Sequence, residues 1–335
     1  QDKGITLSDV PIDTVLNLGD LPKGVGTIFD QSGFKERLSQ VLQGNKTSGK
    51  PLSHDLYKAF YTPAKRGTET INADTRLFNN KDVYSAFVAF NREYLPEGFS
   101  ALIEANASGF QKLITNSFNK WIYYYSGDAQ NNVKERIKHH PNYEDAGDKL
   151  IGRIYLNTNY EYVYPVIALL QKKLEDAGIT ATMKADAKLV FDAYEGDGTS
   201  RADKIVLYFS AQDEQAVLKV IEELYKEVQQ DEFKSSFPDT LKMGPNKVFR
   251  PVFREDTPQF VGKLFPGFGF AQTSEFTESY GQMISETLAW VLNNNPEFAH
   301  DVDRLKEAFE GALKEQGRDA KEPWFYENST VGKDL

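Results

Sequence analysis

Cysteine is absent from this 335-residue chain. That one absence removes disulfides, thiolate catalysis and cysteine-ligated zinc, and it leaves the redox compartment open. Histidine is scarce as well: His54, His139, His140 and His300 are the full set. They form no H-E-x-x-H or comparable ligand motif, and the His139-His140 pair sits in a polar stretch before Pro141. These histidines read as solvated surface, so no metal is expected. Positive charge is not in excess either. The formal net charge is -10, which argues against nucleic acid as a partner. A phosphorylated ligand remains compatible, but only through a local cationic pocket, because no global field would draw it in. Finally, no apolar run approaches the roughly 18–20 residues of a membrane span, so no membrane association is expected.

Other chemistries are excluded by missing motifs. No G-x-S-x-G occurs, so serine-hydrolase chemistry has no support. "GPNKVF" and "GKLFPGFGF" carry Gly and Lys, yet neither is a phosphate-cradling G-x-x-x-x-G-K-[ST]. Both read as plain loops. "DAYEGDGTSRAD" lacks the spacing of a calcium loop. The chain opens "QDKGITLSDV", without Met and without a signal-like apolar stretch. It is expected to be trimmed or processed, with its original targeting no longer visible.

What is present describes a folded protein. Hydrophobic residues make up 40% and aromatic residues 13%, enough for a sizeable core. "SGFKERLSQVLQ" predicts a short amphipathic helix with a serine cap, and "GNKTSGKPLS" a linker. "SHDLYKAFYTP" and "KDVYSAFVAFNREYL" predict two more helices. Trp121–Tyr125 is aromatic and β-prone. The second half is more regular. "DKLIGRIYLNT", "ITATMKADA" and "KIVLYFS" predict strands. "YEYVYPVIALLQKKLEDAG" and "AQDEQAVLKVIEELYKEVQQ" predict amphipathic helices. Residues 241–274 are rich in Pro, Gly and Phe and read as a long irregular segment, and two helices close the chain. A β-α-β-β-α order followed by helices predicts an α+β fold, with a small mixed or antiparallel sheet flanked by helices. The expected division is a mainly helical region over 1–149 and an α+β domain over 150–335.

One cationic set stands out. Arg153 lies on "GRIYLN", with Tyr155 two residues on and therefore on the same face. Lys184 occupies the polar face of "TATMKA". Arg201 precedes "DKIVLYF", and Arg250 and Arg254 flank Pro251-Val252-Phe253. If the three strands are neighbours, these groups are placed to converge on one end of a sheet. Otherwise each is an ordinary solvated charge. Asp203 and Lys204 read as residues that keep a loop wet at the mouth of a core strand.

The ordered set "GRIYLN", "EDAG", "ATMKADA", "SRADKIVLYF", "FPGFGFAQT" and "SYGQMISETLAWVL" resembles the HopA-type family. "DLYKAFYTPA" and the closing "ALKEQGRDAKEPWFYE" resemble that family's N-terminal helical marker and its ending. The resemblance covers about residues 150–327 well and residues 50–150 loosely. The family includes a type III secreted effector of plant-pathogenic pseudomonads, and also lyase components of class V lanthipeptide pathways. It is thought to share its fold with phosphothreonine lyases. The resemblance therefore implies β-elimination of phosphate from phosphothreonine or phosphoserine in a peptide or protein, leaving a dehydroamino acid, with no metal or cofactor. It implies Lys184 as base and Arg201 as phosphate ligand, with Arg153, Arg250 and Arg254 as further phosphate ligands. Two departures stand out. Arg153 occupies the place of the lyases' histidine acid, with Tyr155 as a substitute donor, and Ile284 stands where many members carry arginine. Implied partners are the phosphorylated substrate and, in a biosynthetic setting, a kinase-like protein. The implied location is the bacterial cytoplasm, or a host cell for an effector. A non-catalytic effector or adaptor that binds a host protein or peptide is the alternative.

Overall fold

The computed structural model describes residue 29 and residues 33–61, 121–125, 151–158, 162–186, 202–210, 213–235, 242–243, 248–249, 251–254, 257–258, 260–273 and 279–327. Six strands form one antiparallel sheet: β1 (Trp121–Tyr125), β2 (Ile151–Leu156), β3 (Ala181–Asp186), β4 (Ile205–Ser210), β7 (Gly262–Phe265) and β8 (Phe268–Thr273). A separate two-stranded ribbon pairs β5 (Lys242–Met243) with β6 (Val248–Phe249). The order across the sheet is β1-β3-β4-β2-β8-β7. The fold is α+β with an antiparallel sheet and helices at its N-terminal side, and β1 enters the sheet beside β3 from chain that precedes residue 150.

Register decides which residues share a face. Arg153 is opposite Tyr208 on β4 and Ala271 on β8, and Tyr208 is also opposite Thr182 on β3. By period-two alternation Tyr155, Lys184, Val206 and Thr273 lie on that same face. Ile154, Leu207, Met183 and Phe270 point the other way and are almost completely buried. Helices α3 (Val163–Asp176) and α4 (Glu214–Gln229) pack against each other and reach β3 and β4 respectively. Tyr225 of α4 stacks on Phe265 and meets Phe268 edge-on, which places α4 over the Leu207 face. Lys173 and Glu227 tie the two helices by a 2.6 Å ion pair. This pair is partly exposed and contributes at most about 1 kcal/mol. The apolar stripe beneath it does most of the fastening.

The other helical layer joins both ends of the described chain. α1 (Phe34–Ser48) and α2 (Leu52–Leu56), which runs into a π-helical turn Tyr57–Tyr61, pack with α6 (Tyr280–Asn294) and α7 (Val302–Glu315). Phe29, Phe34, Phe60, Phe260 and Phe309 form a chain of ring contacts through this layer. A short helix α5 (Asp231–Ser235) follows α4. The second helix expected near residue 90 lies outside the described residues.

Three expectations are corrected. "GNKTSGKPLS" is not a linker: α1 runs through Gly44 to Ser48 and ends at Gly49, whose φ of 66° is the left-handed value of a helix C-terminus. One interior glycine costs about 1 kcal/mol. Here the Asn45 amide and the Ser48 hydroxyl both donate to Asp55, at 2.7 and 2.8 Å, and tie the helix end to α2. Those bonds, Asn45's first, hold the Asp55 carboxyl below its usual range. The serine cap is not used either, since the N-cap is Gly33 with no side-chain bond. The third correction concerns residues 241–274, which are not irregular throughout. "GKLFPGFGFAQT" is the β7–β8 hairpin, turning at Pro266-Gly267. The plain-loop reading of "PGFGF" missed it because its Pro and Gly belong to the turn and its Phe residues to the core.

Where β7 stops, the outer edge of β8 is covered by the chain's C-terminal segment. The Gln272 N–H donates to the Trp324 carbonyl at 2.9 Å, and the Arg318 Nη1 donates to the Gln272 carbonyl at 3.0 Å. Arg318 is 1% exposed. It also donates to the Pro323 carbonyl and the Tyr326 hydroxyl, and lies over the rings of Tyr280 and Tyr326. Its guanidinium is thus solvated by carbonyls and ring faces.

Gly267 has φ of 80°, and a Cβ there would stand 2.3 Å from the Arg254 carbonyl oxygen. Gly267→Ala is expected to destabilise the fold by about 2 kcal/mol or more, from backbone strain plus that clash. Thermal unfolding measures it; an unchanged midpoint would contradict the turn geometry.

Candidate functional site

The site is built on the centre of the sheet. β2 is flanked by β4 and β8, and its burial is continuous from Ile151 to Leu156. Arg153 is therefore a cation in a core strand, 3% exposed. Such a charge is tolerated only with hydrogen bonds and favourable electrostatics around it. Its Nε donates to the Thr273 hydroxyl at 3.0 Å, and its guanidinium carbon lies 4.7 Å from the centroid of the Tyr208 ring. Lys184 meets the same ring, its Nζ at 5.3 Å from the centroid. Cation–π contacts contribute about 0.5–1 kcal/mol when exposed and ~2 when desolvated. Tyr208 and Arg153 are both buried, so their contact belongs toward the upper figure, and that of half-buried Lys184 toward the lower.

The sequence offered convergence of the cationic set on one end of a sheet only if the three strands were neighbours. The condition is met: β3, β4 and β2 are consecutive neighbours. Like charges repel, so bringing both to one ring carries an electrostatic cost. Lys184 is half-buried, whereas Arg153 and Tyr155 are buried. Tyr155 sits opposite Val206 and Gly269, one same-face position along β2 from Arg153. Burial raises the Tyr280 hydroxyl's pKa well above the ordinary tyrosine value, and that hydroxyl donates to the Phe260 carbonyl at 2.6 Å.

The remaining arginines stand differently. Arg201 and Arg250 lie outside the described residues. Arg254 is half-buried, and its backbone N–H donates to the Asn157 carbonyl at 2.8 Å. Asn157 is four positions along β2 from Arg153, about 13 Å at strand rise. Ile284 is fully buried in α6 and serves the core.

Asp203 and Lys204 are not wet loop residues. Asp203 is 4% exposed and Lys204 is 0% exposed. The Lys204 ammonium donates to the Asn157 side-chain oxygen. Asn157 is in turn fixed by its own N–H to Gly267 and by the Arg254 N–H. The polar sequence suggested solvent. Carried one residue back from β4, the strand alternation puts Lys204 on the side of Val206 and Tyr208, and it is fully buried there.

Two residues central to the geometry went unnoticed in the sequence. Tyr208 looked like one more aromatic in "IVLYF", and Thr273 like the polar end of "FAQT". Their signal was parity with Arg153, which is readable only once strand neighbours are known.

Glu214 is the other unusual ionisable group. It opens α4, just beyond β4, at 1% exposure. Neither carboxylate oxygen has a hydrogen-bond partner among the described residues. A helix N-terminus favours a carboxylate by about 0.3–1 kcal/mol. Burial outweighs that and pushes the Glu214 pKa up to about 8. Among the described residues no group of three or more His, Asp or Glu is placed to hold a metal ion.

Over residues 128–243, about a third of the chain, the sequence matches the family described as the HopA1 effector protein family. The matched region starts earlier and ends sooner than the 150–327 over which the motifs resemble HopA-type proteins. No curated protein matches the chain. Two similar solved structures are effector proteins of Pseudomonas syringae. That from pathovar tomato strain DC3000 is 14% identical, covers 89% of this chain and 98% of its own, and has a TM-score of 0.43. That from pathovar syringae strain 61 is 16% identical, covers 87% and 96%, and has a TM-score of 0.44.

The titration of Glu214 makes stability depend on pH. Between the ordinary glutamate value and about 8, the folded state holds a proton that the unfolded chain has released. Stability is therefore full below that window and falls as pH rises through it, by a few kcal/mol at most. Glu214→Gln, neutral at every pH, is expected to remove this decline and to raise the unfolding midpoint at pH 8 but not at pH 4. Parallel curves for the two proteins across pH 4–8 would contradict the buried, proton-holding carboxyl.

Proposed function

We propose that this protein is a phosphothreonine/phosphoserine lyase-like protein acting on a phosphorylated peptide or protein. The observation that carries the reading is the meeting of Arg153 and Lys184 at the Tyr208 ring. A phosphate monoester brings about two negative charges, and a planar guanidinium binds such a group bidentately. In the proposed reaction the neutral Lys184 amine takes the α-proton of the phosphorylated residue. The C–H electron pair forms the Cα=Cβ double bond. The Cβ–O bond breaks, its electrons leave with phosphate, and Tyr155 supplies a proton to the leaving oxygen. The products are a dehydroamino acid and inorganic phosphate, and the atoms balance without water, metal or cofactor.

Lys184 must be uncharged to act as base. Arg201, Arg250 and Arg254 are proposed as further phosphate ligands. The effector description of the matched family favours a setting in which the protein is delivered to a host cell and its substrate is a host phosphoprotein. Peptide natural-product maturation with a kinase-like partner is the other setting for the same chemistry. Among the described residues no helix is long and apolar enough to cross a membrane.

One observation favours a second reading. Arg153 and Tyr155 are each 3% exposed, deep for groups that must meet a phosphopeptide. A non-catalytic effector or adaptor that binds a host protein or peptide would need no such access.

Incubation with a panel of phosphothreonine and phosphoserine peptides is expected to yield products lighter by one phosphoric acid, detected by mass spectrometry. Lys184→Ala should slow this by about 10²–10⁴-fold, the scale of a lost general base. If no peptide loses phosphoric acid, or if Lys184→Ala keeps full activity, the binding-only reading takes its place.

A further inference from the structure

We infer that Thr273 is the residue that positions Arg153 for anion binding, and that the C-terminal segment holds Thr273 in place through the backbone of Gln272. The inference rests on the anion-binding reading of Arg153 and adds to it a supporting set that the sequence did not indicate.

An arginine side chain has several rotatable bonds, and its planar fork recognises phosphate only from a fixed orientation. Contacts with two described residues restrict it. The Nε–H bond to Thr273 sets the direction of the plane's inner edge. The Tyr208 ring covers the guanidinium at 4.7 Å and limits its tilt. With Nε and the ring contact both set, the edge formed by the two Nη groups keeps one heading. Thr273 is well suited to the task. It is completely buried, β-branched, and the last residue of β8. A β-branched side chain in a strand has restricted χ1, so its hydroxyl is presented in a defined place.

The end of a strand would ordinarily fray. Here Gln272, the residue before Thr273, has its N–H taken by the Trp324 carbonyl and its carbonyl taken by Arg318 Nη1. Both bonds come from the C-terminal segment, where β7 no longer pairs with β8. Two buried guanidiniums thus bracket two consecutive residues. Arg318 clamps the backbone of one, and the side chain of the next clamps Arg153. Thr273 is a positioning residue in this scheme and Arg318 supports its backbone; neither is assigned contact with the ligand.

The test is calorimetric binding of a phosphothreonine peptide, with the dephosphorylated peptide as control, alongside thermal unfolding. Thr273→Val keeps the shape and removes the hydroxyl. It is expected to weaken phosphopeptide binding about tenfold or more, the scale of one charge-assisted hydrogen bond. Thr273→Ser restores the acceptor and is expected to bind within about threefold of the wild type on the same grounds. In an Arg153→Met background, Thr273→Val should add nothing further, because its effect runs through Arg153. If Thr273→Val does not fold, Thr273→Ala is measured in its place against the same serine control. Binding by Thr273→Val equal to wild type, a serine variant as weak as the valine variant, or an additive loss in the Arg153→Met background would each overturn the inference and leave the anion site standing. A wild-type protein that binds both peptides equally overturns the anion reading itself, and this inference with it.

Discussion

A guanidinium in the middle strand of an antiparallel sheet has to be satisfied where it stands. Moving Arg153 out of water without partners would cost several kcal/mol, more than a domain of this kind can spare. Its neighbours on both flanking strands answer that demand: a tyrosine ring from β4 and a threonine hydroxyl from β8. The rest of this face follows from that solution. Tyr208 must be aromatic and must lie opposite Arg153, which fixes the β2–β4 register. Thr273 must end β8 within reach of Nε, which fixes β2–β8. Lys184 then comes to the Tyr208 ring because β3 is the next strand along.

A sheet with this much charge at its centre needs firm edges. The hairpin β7–β8 covers part of the β8 edge and the C-terminal segment covers the remainder, with Arg318 as its anchor. Arg318 is handled by the same physics as Arg153, through carbonyl or hydroxyl oxygens and aromatic faces. The two helical layers close the structure from either side. α3 and α4 bury the Leu207 face, and α6 with α7 draws the N-terminal helices into one core with the sheet.

Much of the fold was legible because its elements carry simple periodicities. α3 and α4 announced themselves by their apolar stripes, β2 and β4 by short β-branched or aromatic runs, and β3 by its alternation. Gly178, at φ of 68°, ends α3's C-terminal turn as its position after "EDA" foretold. The hairpin at Pro266 was hidden because its strands are short and rich in Phe and Gly, a composition that loops share. α1's passage through Gly44 was hidden because the bonds that rescue it come from Asp55, a contact of tertiary structure. In the site, Arg153, Tyr155 and Lys184 could be named from strand parity alone. Tyr208, Thr273 and the burial of Lys204 depend on which strand lies beside which, and single-strand patterns do not carry that information. Arg201 and Arg250 fall on chain outside the described residues, so they enter as proposals on the strength of the family resemblance.

The central claim is that Arg153 and Lys184 form one anion site rather than two unrelated charges. The effector description of the matched family is compatible with a catalyst or a binder, and either would use such a site to grip a phosphorylated partner. The most direct measurement is a crystal structure of the protein soaked with tungstate, a phosphate-shaped anion whose anomalous signal marks its position. The account predicts a single strong peak in contact with both the Arg153 guanidinium and the Lys184 amino group, lost in Arg153→Met. A structure with tungstate bound elsewhere and no peak between those two groups would contradict it.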